Sequence, residues 1–460
     1  METIPDSMYF NDNGENAVNA TCTLSRYDAT NGVSFGPTSA NIIRIRMKAP
    51  QGGFMHTKLH YLQFQVDVAS ADSTGAFVDM NAGSFFDRVT LSVNGQECEL
   101  LDKYAIWNGL TSSYQANLYD VYKHNAESGG GRLAIENQAA DAGADNGIIV
   151  PVAHSSLGAK FSNNITSLTF CLPIKSGLLM NTYGKALPDA LGELEIALRL
   201  KASAGALVYA AGTPTYTIAD PRIFCPTYQI LDDAVMSLYN QQKAQGINIV
   251  GDTYQTFTSS LGSTGAGDKT SQINIKVSSL KGLVSVCRDA NADNTGACYS
   301  NSAFHLTDAA GDVTQFSYVL NGLNYPQSEI VVDVGDANFS GVNIGRAYEE
   351  AVKCLSKHGE AHSESLVSYE NFIGSQNTYT SAANTNAIET AKGVMAVDLR
   401  KFDQYSLKNN IGLNTSINGN PSTLRFRTTG TAGSVWDITT FGICEANWLI
   451  LPNGSVQARI

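Results

Sequence analysis

Charge is scarce in this sequence, and positive charge is the scarcer sign. Of the 460 residues only 16% are charged, and 42 acidic side chains against 30 basic ones give a net charge of −12. An acidic chain is a poor candidate for coating nucleic acid, because that role requires a basic surface. We therefore expect no direct sequence-specific binding of nucleic acid.

Long apolar segments are also missing. No run of about 18 apolar residues occurs, the length that a membrane-spanning helix needs. The segment Met1–Asp6 contains neither the basic nor the apolar region of a secretory signal. We therefore expect neither a membrane-spanning helix nor a secretory signal. The length of the chain leaves room for about two to four domains.

The eight cysteines form no CxxC pair, and this argues against a zinc ribbon. Cys171, Cys225 and Cys444 lie inside apolar stretches, where buried thiols are common. We predict buried free thiols in an intracellular assembly, with a disulfide framework as the less favoured alternative.

Sequence motifs of common enzymes find no support in their context. G-x-S-x-G occurs once, at Gly32–Gly36, inside the segment predicted as an N-terminal arm rather than at a strand-to-helix turn, and there is no P-loop and no G-x-G-x-x-G following a strand. Gly129-Gly130-Gly131 lies in a Gly- and Ala-rich stretch rather than at a strand-to-helix turn. The sequence thus indicates no nucleotide-binding loop and no serine nucleophile.

Two pairs among the seven histidines are close enough in sequence to be considered as metal ligands. His56 and His60 fall in a segment typical of a turn and a strand, where this spacing does not favour chelation. His358 and His362 flank a Glu, but the order differs from HExxH and Gly359 indicates the end of a helix. For both pairs we favour a structural role over metal binding.

Carboxylates suggest no catalytic pair. Asp232-Asp233 is typical of a helix cap and Glu349-Glu350 of a helix surface, since adjacent side chains point in different directions. The stretch Asp289–Asn294 resembles a calcium loop but lacks the Gly and the terminal Glu of an EF-hand. We therefore predict no catalytic residue, no cofactor, no metal site and no enzyme activity.

Alternation of apolar and polar residues dominates what is present, and Gly (41) far outnumbers Pro (12), as suits many short strands joined by turns. Apolar residues that recur every three or four positions predict helices at Lys103–His124 and Ile344–Lys357. Loops are predicted at 126–148, 255–270, 288–300 and 374–389. The predicted strands are Ile42–Met47, Phe64–Val68, Val89–Val93, Leu168–Leu172, Glu193–Lys201, Ile223–Leu231, Ile273–Val277, Leu283–Cys287, Phe316–Leu320, Ile330–Val334, Val394–Leu399, Leu424–Arg427 and Trp448–Leu451.

The two halves of the chain repeat one plan. A strand ending in Asn94-Gly95, a pair that predicts a hairpin turn because both residues tolerate positive φ, is followed by a helix-like run and has a counterpart ending in Asn321-Gly322. We match further segments in the same order at nearly constant spacing. These are Ile42–Arg46 with Ile273–Val277, Leu194–Leu200 with Leu424–Phe426, and Ile223–Leu231 with Ile443–Leu451. Two similar all-β units in one chain are typical of one class of shell-building protein.

A short helix is predicted to join the halves. Asp232-Asp233 offers an N-cap, Val235, Leu238 and Tyr239 offer an apolar face, and Gly246 offers a stop. The predicted division is an N-terminal arm at 1–40, a first β unit at 41–231, a linking helix at 232–246 and a second β unit at 247–460.

Over roughly residues 40–460, this order resembles the double jelly-roll major capsid proteins of tailless icosahedral viruses of the adenovirus, tectivirus, corticovirus and large nucleocytoplasmic virus type. The segments that carry the resemblance are Phe86–Glu97 with the Tyr104–Leu110 helix, Leu172-Pro173-Ile174 before Ser176–Leu179, the closing strand into Asp232-Asp233, and Tyr325-Pro326 with the Tyr348–Leu355 helix.

The resemblance implies an all-β fold of two consecutive eight-stranded jelly-roll sandwiches with short helices between strands. It implies a viral major capsid protein of the virion, assembling as pseudo-hexameric homotrimers that tile an icosahedral shell around the genome. Implied partners are neighbouring capsomers and penton or minor capsid proteins; whether an internal membrane lies beneath the shell is left open.

Three alternatives stay open. A single jelly-roll-type coat protein would have a flexible or cleavable linker near 232–265, whereas a packed helix there favours the double roll. A carbohydrate-binding or adhesive β-sandwich would show exposed aromatic pairs on a concave face. A β-rich glycosidase would need two facing carboxylates, and no motif supports one.

Overall fold

The computed structural model of the protein describes residues 20–69, 76–79, 81–115, 134–136, 148–150, 157–161, 166–209, 214–261, 266–289, 301, 304, 306, 313–333, 343–355, 367, 372, 392–400, 412–416, 421–429 and 436–460. In the first half the strands are β1 (Ala20–Asp28), β2 (Ser34–Phe35), β3 (Ile42–Lys48), β4 (Gly53–Met55), β5 (Tyr61–Ala69), β6 (Ala76–Asp79), β7 (Phe86–Val93), β8 (Gln96–Asp102), β9 (Ala134–Glu136), β10 (Ile148–Val150), β11 (Leu157–Phe161), β12 (Ser167–Leu172), β13 (Leu187–Pro188), β14 (Glu193–Leu200), β15 (Leu207–Tyr209) and β16 (Thr215–Ile230).

In the second half the strands are β17 (Ile247–Leu261), β18 (Gly267–Ile273), β19 (Leu280–Asp289), β20 (Val313–Leu320), β21 (Leu323–Val331), β22 (Met395–Asp398), β23 (Ser422–Thr428), β24 (Trp436–Ile450) and β25 (Val456–Arg459). The helices are α1 (Tyr104–Gln115), α2 (Ser203–Ala206), α3 (Asp233–Gln245) and α4 (Gly345–Leu355).

Both halves have one strand order. In the first half β1-β16-β5-β12 form one antiparallel sheet and β3-β14-β7-β8 form another. In the second half β17-β24-β19-β22 and β18-β23-β20-β21 have the same connectivity. With eight strands counted in chain order, each half pairs the first with the eighth and the second with the seventh. This is the jelly-roll topology, so the chain consists of two rolls, as predicted.

Along the strands, apolar and polar side chains alternate, so one face of each sheet is buried inside the sandwich and the other faces solvent. On β3, Ile43, Ile45 and Met47 are buried and alternate with exposed Arg44 and Arg46. Each such buried aliphatic side chain contributes about 1.5–3 kcal/mol by leaving water. On the outer face the arginines pair with one carboxylate of β14, Glu195, at 3.1 and 2.8 Å.

The turns predicted at Asn94-Gly95 and Asn321-Gly322 are confirmed, and they occupy the same place in the two rolls. Each joins the fourth strand of its roll to the fifth. Asn94 and Asn321 have φ of 50° and 53°, and the glycines that follow are also positive, as a two-residue hairpin turn requires. A helix follows the fifth strand in both rolls, α1 after β8 and α4 after β21.

The predicted arm at 1–40 is wrong for residues 20–28. These residues form β1, which pairs along its whole length with β16, from Ala20 opposite Ile230 to Asp28 opposite Arg222. Both faces of β1 are mostly exposed. Because no face is buried, the segment lacks the apolar alternation by which the other strands were predicted.

The match between Ile42–Arg46 and Ile273–Val277 is also wrong. The counterpart of β3 is β18, which ends at Ile273, and β23 begins opposite it at Ser422. Residues 274–277 keep the buried alternation but leave the ladder, and Val277 exchanges hydrogen bonds with Thr415. Alternation indicates only that one side of a segment is buried. Residues 274–277 have such a buried side, although no strand of the described residues pairs with them.

Three further predictions change in extent. The loop at 255–270 is mostly strand, because β17 continues to Leu261 and β18 begins at Gly267. The predicted loop at 126–148 includes β9, which pairs with β10. The strand predicted to Val334 ends at Val331, and the first helix is described only as far as Gln115. The loop at 374–389 lies outside the described residues, as does 290–300.

Candidate assembly site at the junction of the two rolls

The two rolls meet along two edge strands. β8 stands at one end of its sheet and β17 at one end of its own. Glu99 on β8 is only 2% exposed, and Thr253 of β17 donates a hydrogen bond from Oγ1 to Glu99 Oε1 at 2.7 Å. Covering an edge strand removes a row of unpaired backbone groups from the surface.

The carboxyl group of Glu99 accepts hydrogen bonds from both rolls. The turn after β12 supplies three of them: Ser176 Oγ at 2.5 Å, the Gly177 amide at 2.8 Å and the Leu178 amide at 3.3 Å. With Thr253 these make four hydrogen bonds to one buried carboxyl group. Burial raises the pKa of Glu99, and the four hydrogen bonds partly oppose that rise. The group therefore links a strand, a turn and the second roll through one polar centre.

Backbone approaches backbone beside this carboxyl group. A Cβ placed on Gly251 would lie 2.1 Å from the carbonyl oxygen of Gly177, and one on Gly177 would lie 2.5 Å from that of Asp252. Both positions also face the indole of Trp448, whose Nε1 donates to the Cys98 carbonyl at 3.2 Å. Only glycine permits this spacing, so the junction is packed too tightly for side chains at 177 and 251.

Aromatic rings extend the junction along β17. Trp107 of α1 lies with its ring 4.5 Å from that of Tyr254 and 5.3 Å from that of Phe441. Tyr254 and Phe441 meet edge to face at 5.5 Å. Such pairs each contribute about 0.5–1.5 kcal/mol beyond the apolar area they bury. The first roll thus supplies one ring and the second roll two.

The helices that follow the fifth strands also touch. Near the C-terminus of α1, Tyr114 donates to the Lys392 carbonyl at 2.6 Å and Gln115 donates to the Leu355 carbonyl at 3.0 Å. Leu355 is the last residue of α4. A further bridge runs from Asn94 Nδ2 to the Gly454 carbonyl at 2.9 Å. Contacts between the rolls therefore reach from the turn before β8 to the end of α1.

The linking helix α3 is docked rather than free. Tyr239 is buried, its hydroxyl donates to Asp189 Oδ1 at 2.5 Å, and its ring meets Phe54 at 5.0 Å. Burial opposes ionisation of Asp189, but hydrogen bonds from Tyr239 and the Gly52 amide, with Lys243 nearby, bring its pKa below the ordinary value. The helix is capped by Asp232, whose Oδ1 accepts from the Val235 amide, and ends before Gly246 at φ 91°.

His56 and His60 flank the short 3₁₀ helix Thr57–Leu59 and do not act as a pair. The buried ring of His60 meets the Thr57 carbonyl through Nδ1 and accepts the Ile174 amide through Nε2 at 2.9 Å. Accepting at Nε2 requires a neutral ring, and burial lowers the pKa of His60 to about 4. His56 instead faces the ring of Tyr228 at 6.1 Å. His60 fixes the approach to the Ser176–Leu178 turn.

The remaining sequence candidates do not come together. Glu350 accepts the Asp398 amide at 3.3 Å on the surface of α4. Asp289 ends β19, while 290–294 and both His358 and His362 lie outside the described residues. Within the described ranges no group of three or more His, Cys, Asp or Glu could hold a metal ion. In that same part of the chain no helix has the length and apolarity to cross a membrane.

The residues that build the junction were not singled out from the sequence. Glu99 stands in a strand that carries other charged residues, and Gly177 and Gly251 are two of 41 glycines. No local pattern marks them, since their partners lie far away in the chain. The seven cysteines of the described ranges are free thiols, five of them buried, with Cys22 exposed and Cys171 partly exposed.

Neither protein-family models nor curated proteins match the chain. Solved structures do. The VP54 protein of PBCV-1, fitted into a reconstruction of the virophage Sputnik, shares 13% identity and covers 98% of this chain and 99% of its own, with a TM-score of 0.57. The Sputnik virophage structure shares 13% identity, with coverage of 100% and 93% and a TM-score of 0.58.

The major capsid protein of Faustovirus shares 10% identity, covers 96% of this chain and 92% of its own, and has a TM-score of 0.55. At these identities the similarity is one of fold, and it extends over both rolls and the helix between them. The chain therefore has the double jelly-roll fold that these viral capsid structures share over their full length.

Proposed function

We propose that this chain is a viral major capsid protein, located in the virion, whose role is structural. The observation that carries the proposal is the junction. Two rolls of one topology are held edge to edge by a buried carboxyl group, two glycines and an aromatic cluster. A permanent shell needs rigid blocks with repeated edges, and one chain with two fixed rolls is such a block.

The proposed assembly is a homotrimer. Three chains of two rolls each present six similar edges, which allows a pseudo-hexagonal capsomer to tile an icosahedral shell around the genome. Neighbouring capsomers and penton or minor capsid proteins are the proposed partners. The proposed division of the chain is a first roll that now includes residues 20–28, a linking helix at 232–246 and a second roll at 247–460.

The docked helix weighs against a coat protein of separate single rolls. That alternative requires a free joint near 232–265, whereas Tyr239 is buried against Asp189 and Phe54, and β17 follows at Ile247. An adhesive sandwich would need exposed aromatic pairs. The stacked pair Tyr61–Phe224 is partly covered, and the rings at the junction are buried or half-buried between the rolls.

Electron microscopy of the purified chain tests the proposal directly. We expect hexagon-shaped particles whose mass by light scattering is three times 49.1 kDa and which persist on dilution. Shells formed by the chain alone or with a co-expressed penton protein would strengthen the assignment. A chain that remains monomeric at micromolar concentration, with no particles in any condition, would rule out the capsid role.

A further inference from the structure

A further contact between the rolls lies at the far end of β14. The start of this strand is held at the turn, where Asn94 accepts the Glu193 amide. Just beyond its other end, Lys201 donates from Nζ to the side-chain oxygen Oδ1 of Asn301 at 2.5 Å. Asn301 belongs to the second roll, between β19 and β20. The two residues are 100 positions apart, so this contact bridges the chain across the linking helix.

Three polar groups of different chemistry meet at this contact, away from water. Lys201 is 6% exposed, Asn301 is 1% exposed, and Asp79 at the end of β6 is 2% exposed. Oδ2 of Asp79 accepts the backbone amide of Asn301 at 2.7 Å. Lysine and aspartate are rarely buried so completely, because burial disfavours their charged forms. Passing the proton of the amine to the carboxylate removes both charges at once.

Hydrogen bonds fix the positions of the amine and the amide. The backbone amide of Lys201 donates to the Phe85 carbonyl at 2.9 Å, and its carbonyl accepts the Tyr216 hydroxyl at 2.5 Å. Nδ2 of Asn301 donates to the Gly205 carbonyl at 2.7 Å. The lysine nitrogen is therefore held beside the side-chain carbonyl group of Asn301. Holding two reacting groups together in this way replaces a bimolecular encounter and lowers the barrier to their reaction.

We propose that Lys201 and Asn301 react to form an isopeptide bond, with Asp79 as the proton carrier, so that the two rolls become covalently linked. The reaction occurs once in each chain and consumes the chain's own side chains. It goes beyond the proposed capsid function and does not depend on it.

The reaction requires no oxidant, reductant or cofactor. The Asp79 carboxylate takes a proton from the Lys201 ammonium, and the lone pair of the neutral amine attacks Cγ of Asn301. The Nζ–Cγ bond forms while the carbonyl electron pair moves onto Oδ1. Asp79 then takes a second proton from Nζ as it delivers the first to Nδ2. The carbonyl re-forms, the Cγ–Nδ2 bond breaks and ammonia leaves. The products are the new amide, ammonia and a protonated Asp79, which conserves atoms and charge.

The new bond changes how the two rolls are connected. It closes a loop of chain that contains the linking helix α3 and joins the rolls at a point separate from the Glu99 junction. A cross-link stabilises a fold mainly by restricting the unfolded chain, and the effect grows with the length of the closed loop. The rolls are then held by packing at the Glu99 junction and by a covalent bond beyond the end of β14.

Mass spectrometry of the full chain under denaturing conditions tests the proposal. We expect the wild-type mass to be lower than the sequence mass by one ammonia, and a tryptic fragment to contain Lys201 joined to Asn301. Lys201→Met removes the nucleophile. Asp79→Asn keeps an acceptor for the Asn301 amide but cannot carry the proton. Lys185→Met is the matched control, because Lys185 Nζ also reaches the second roll but donates to the backbone carbonyl of Asn248 at 3.3 Å.

Samples taken during cell-free synthesis give the rate of the reaction, and circular dichroism verifies folding. Lys185→Met should lose ammonia as wild type does, and Lys201→Met should keep its full mass. Asp79→Asn should react at least about 100-fold more slowly, since a positioned acid or base contributes about that much.

A folded wild-type chain that keeps its full mass after prolonged incubation would overturn the proposal, whatever the variants do. Ammonia loss that persists in Lys201→Met would assign it to another site, such as a cyclised Asn-Gly pair, and would also overturn it. Asp79→Asn that reacts as fast as wild type would overturn the role of Asp79.

Discussion

Replacing Gly251 by alanine should weaken the coupling between the rolls. The added Cβ would lie 2.1 Å from the Gly177 carbonyl oxygen and 2.9 Å from its carbon. Both are backbone atoms, so no side chain can rotate away. Relief requires the rolls to part by about 1 Å or more, since non-bonded atoms settle near about 3.5 Å.

The cost follows from what that displacement breaks. The Thr253–Glu99 hydrogen bond, 2.7 Å long, would exceed bonding distance, and so would the 3.2 Å bond from Trp448 to the Cys98 carbonyl. A hydrogen bond to a carboxylate contributes about 1.5–3 kcal/mol and a neutral one about 1 kcal/mol. We expect a total loss of about 3 kcal/mol, equivalent to a fall of about 6–12 °C in Tm.

Urea denaturation followed by circular dichroism and tryptophan fluorescence measures this loss. The wild type should unfold in one transition, whereas Gly251→Ala should unfold at lower urea and in two steps, because the rolls no longer support each other. Gly345→Ala is the matched control, since a Cβ there meets no atom within 4 Å. Its stability should change by less than about 0.5 kcal/mol. Equal midpoints for the two variants would refute the close approach of the rolls.

Three further predictions concern single side chains. Trp448→Phe should cost about 1 kcal/mol, because the buried Cys98 carbonyl loses its donor; unchanged urea midpoints would contradict that bond. Tyr239→Phe should cost about 1.5–3 kcal/mol, because the hydroxyl donates to the carboxylate of Asp189, and limited proteolysis should then cut near α3; resistance equal to wild type would argue against docking. Stability should fall as pH drops from about 6.5 to about 4, because in this window the unfolded chain protonates His60 while the fold keeps the ring neutral. The loss from this group is at most about 3 kcal/mol, and denaturation curves across the window should show that loss in wild type and lack it in His60→Asn.

Local patterns were sufficient to predict much of each roll. Period-two alternation located β3, β5, β12 and β14, because one face of each strand is buried and the other is wet. Asn94-Gly95 and Asn321-Gly322 predicted the turns, since both residues tolerate positive φ. The order of these signals in the two halves was enough to indicate a duplicated fold.

Edges were harder to predict than faces. β1 escaped notice because an edge strand exposed on both sides needs no apolar alternation. Residues 20–28 form a strand because the backbone of β16 offers them hydrogen-bond partners, and nothing in the sequence of 20–28 itself indicates this. The opposite error occurred at 274–277, where a strand was predicted. Burial of Ile275 and Val277 produces alternation there, although β18 ends at Ile273 among the described residues.

By itself the sequence determined which residues turn inward within each roll, because inward and outward positions alternate along a few consecutive residues. Only the tertiary structure decided what lies between the rolls. Glu99 carries an ionisable side chain, yet it is buried because Ser176–Leu178 and Thr253 bring four donors to it. Gly177 and Gly251 must lack side chains because their backbones meet. The burial of Glu99 and the need for glycine at 177 and 251 arise only when the two folded rolls pack together. Each depends on a contact with residues distant in the chain, and a local sequence pattern contains no information about those residues.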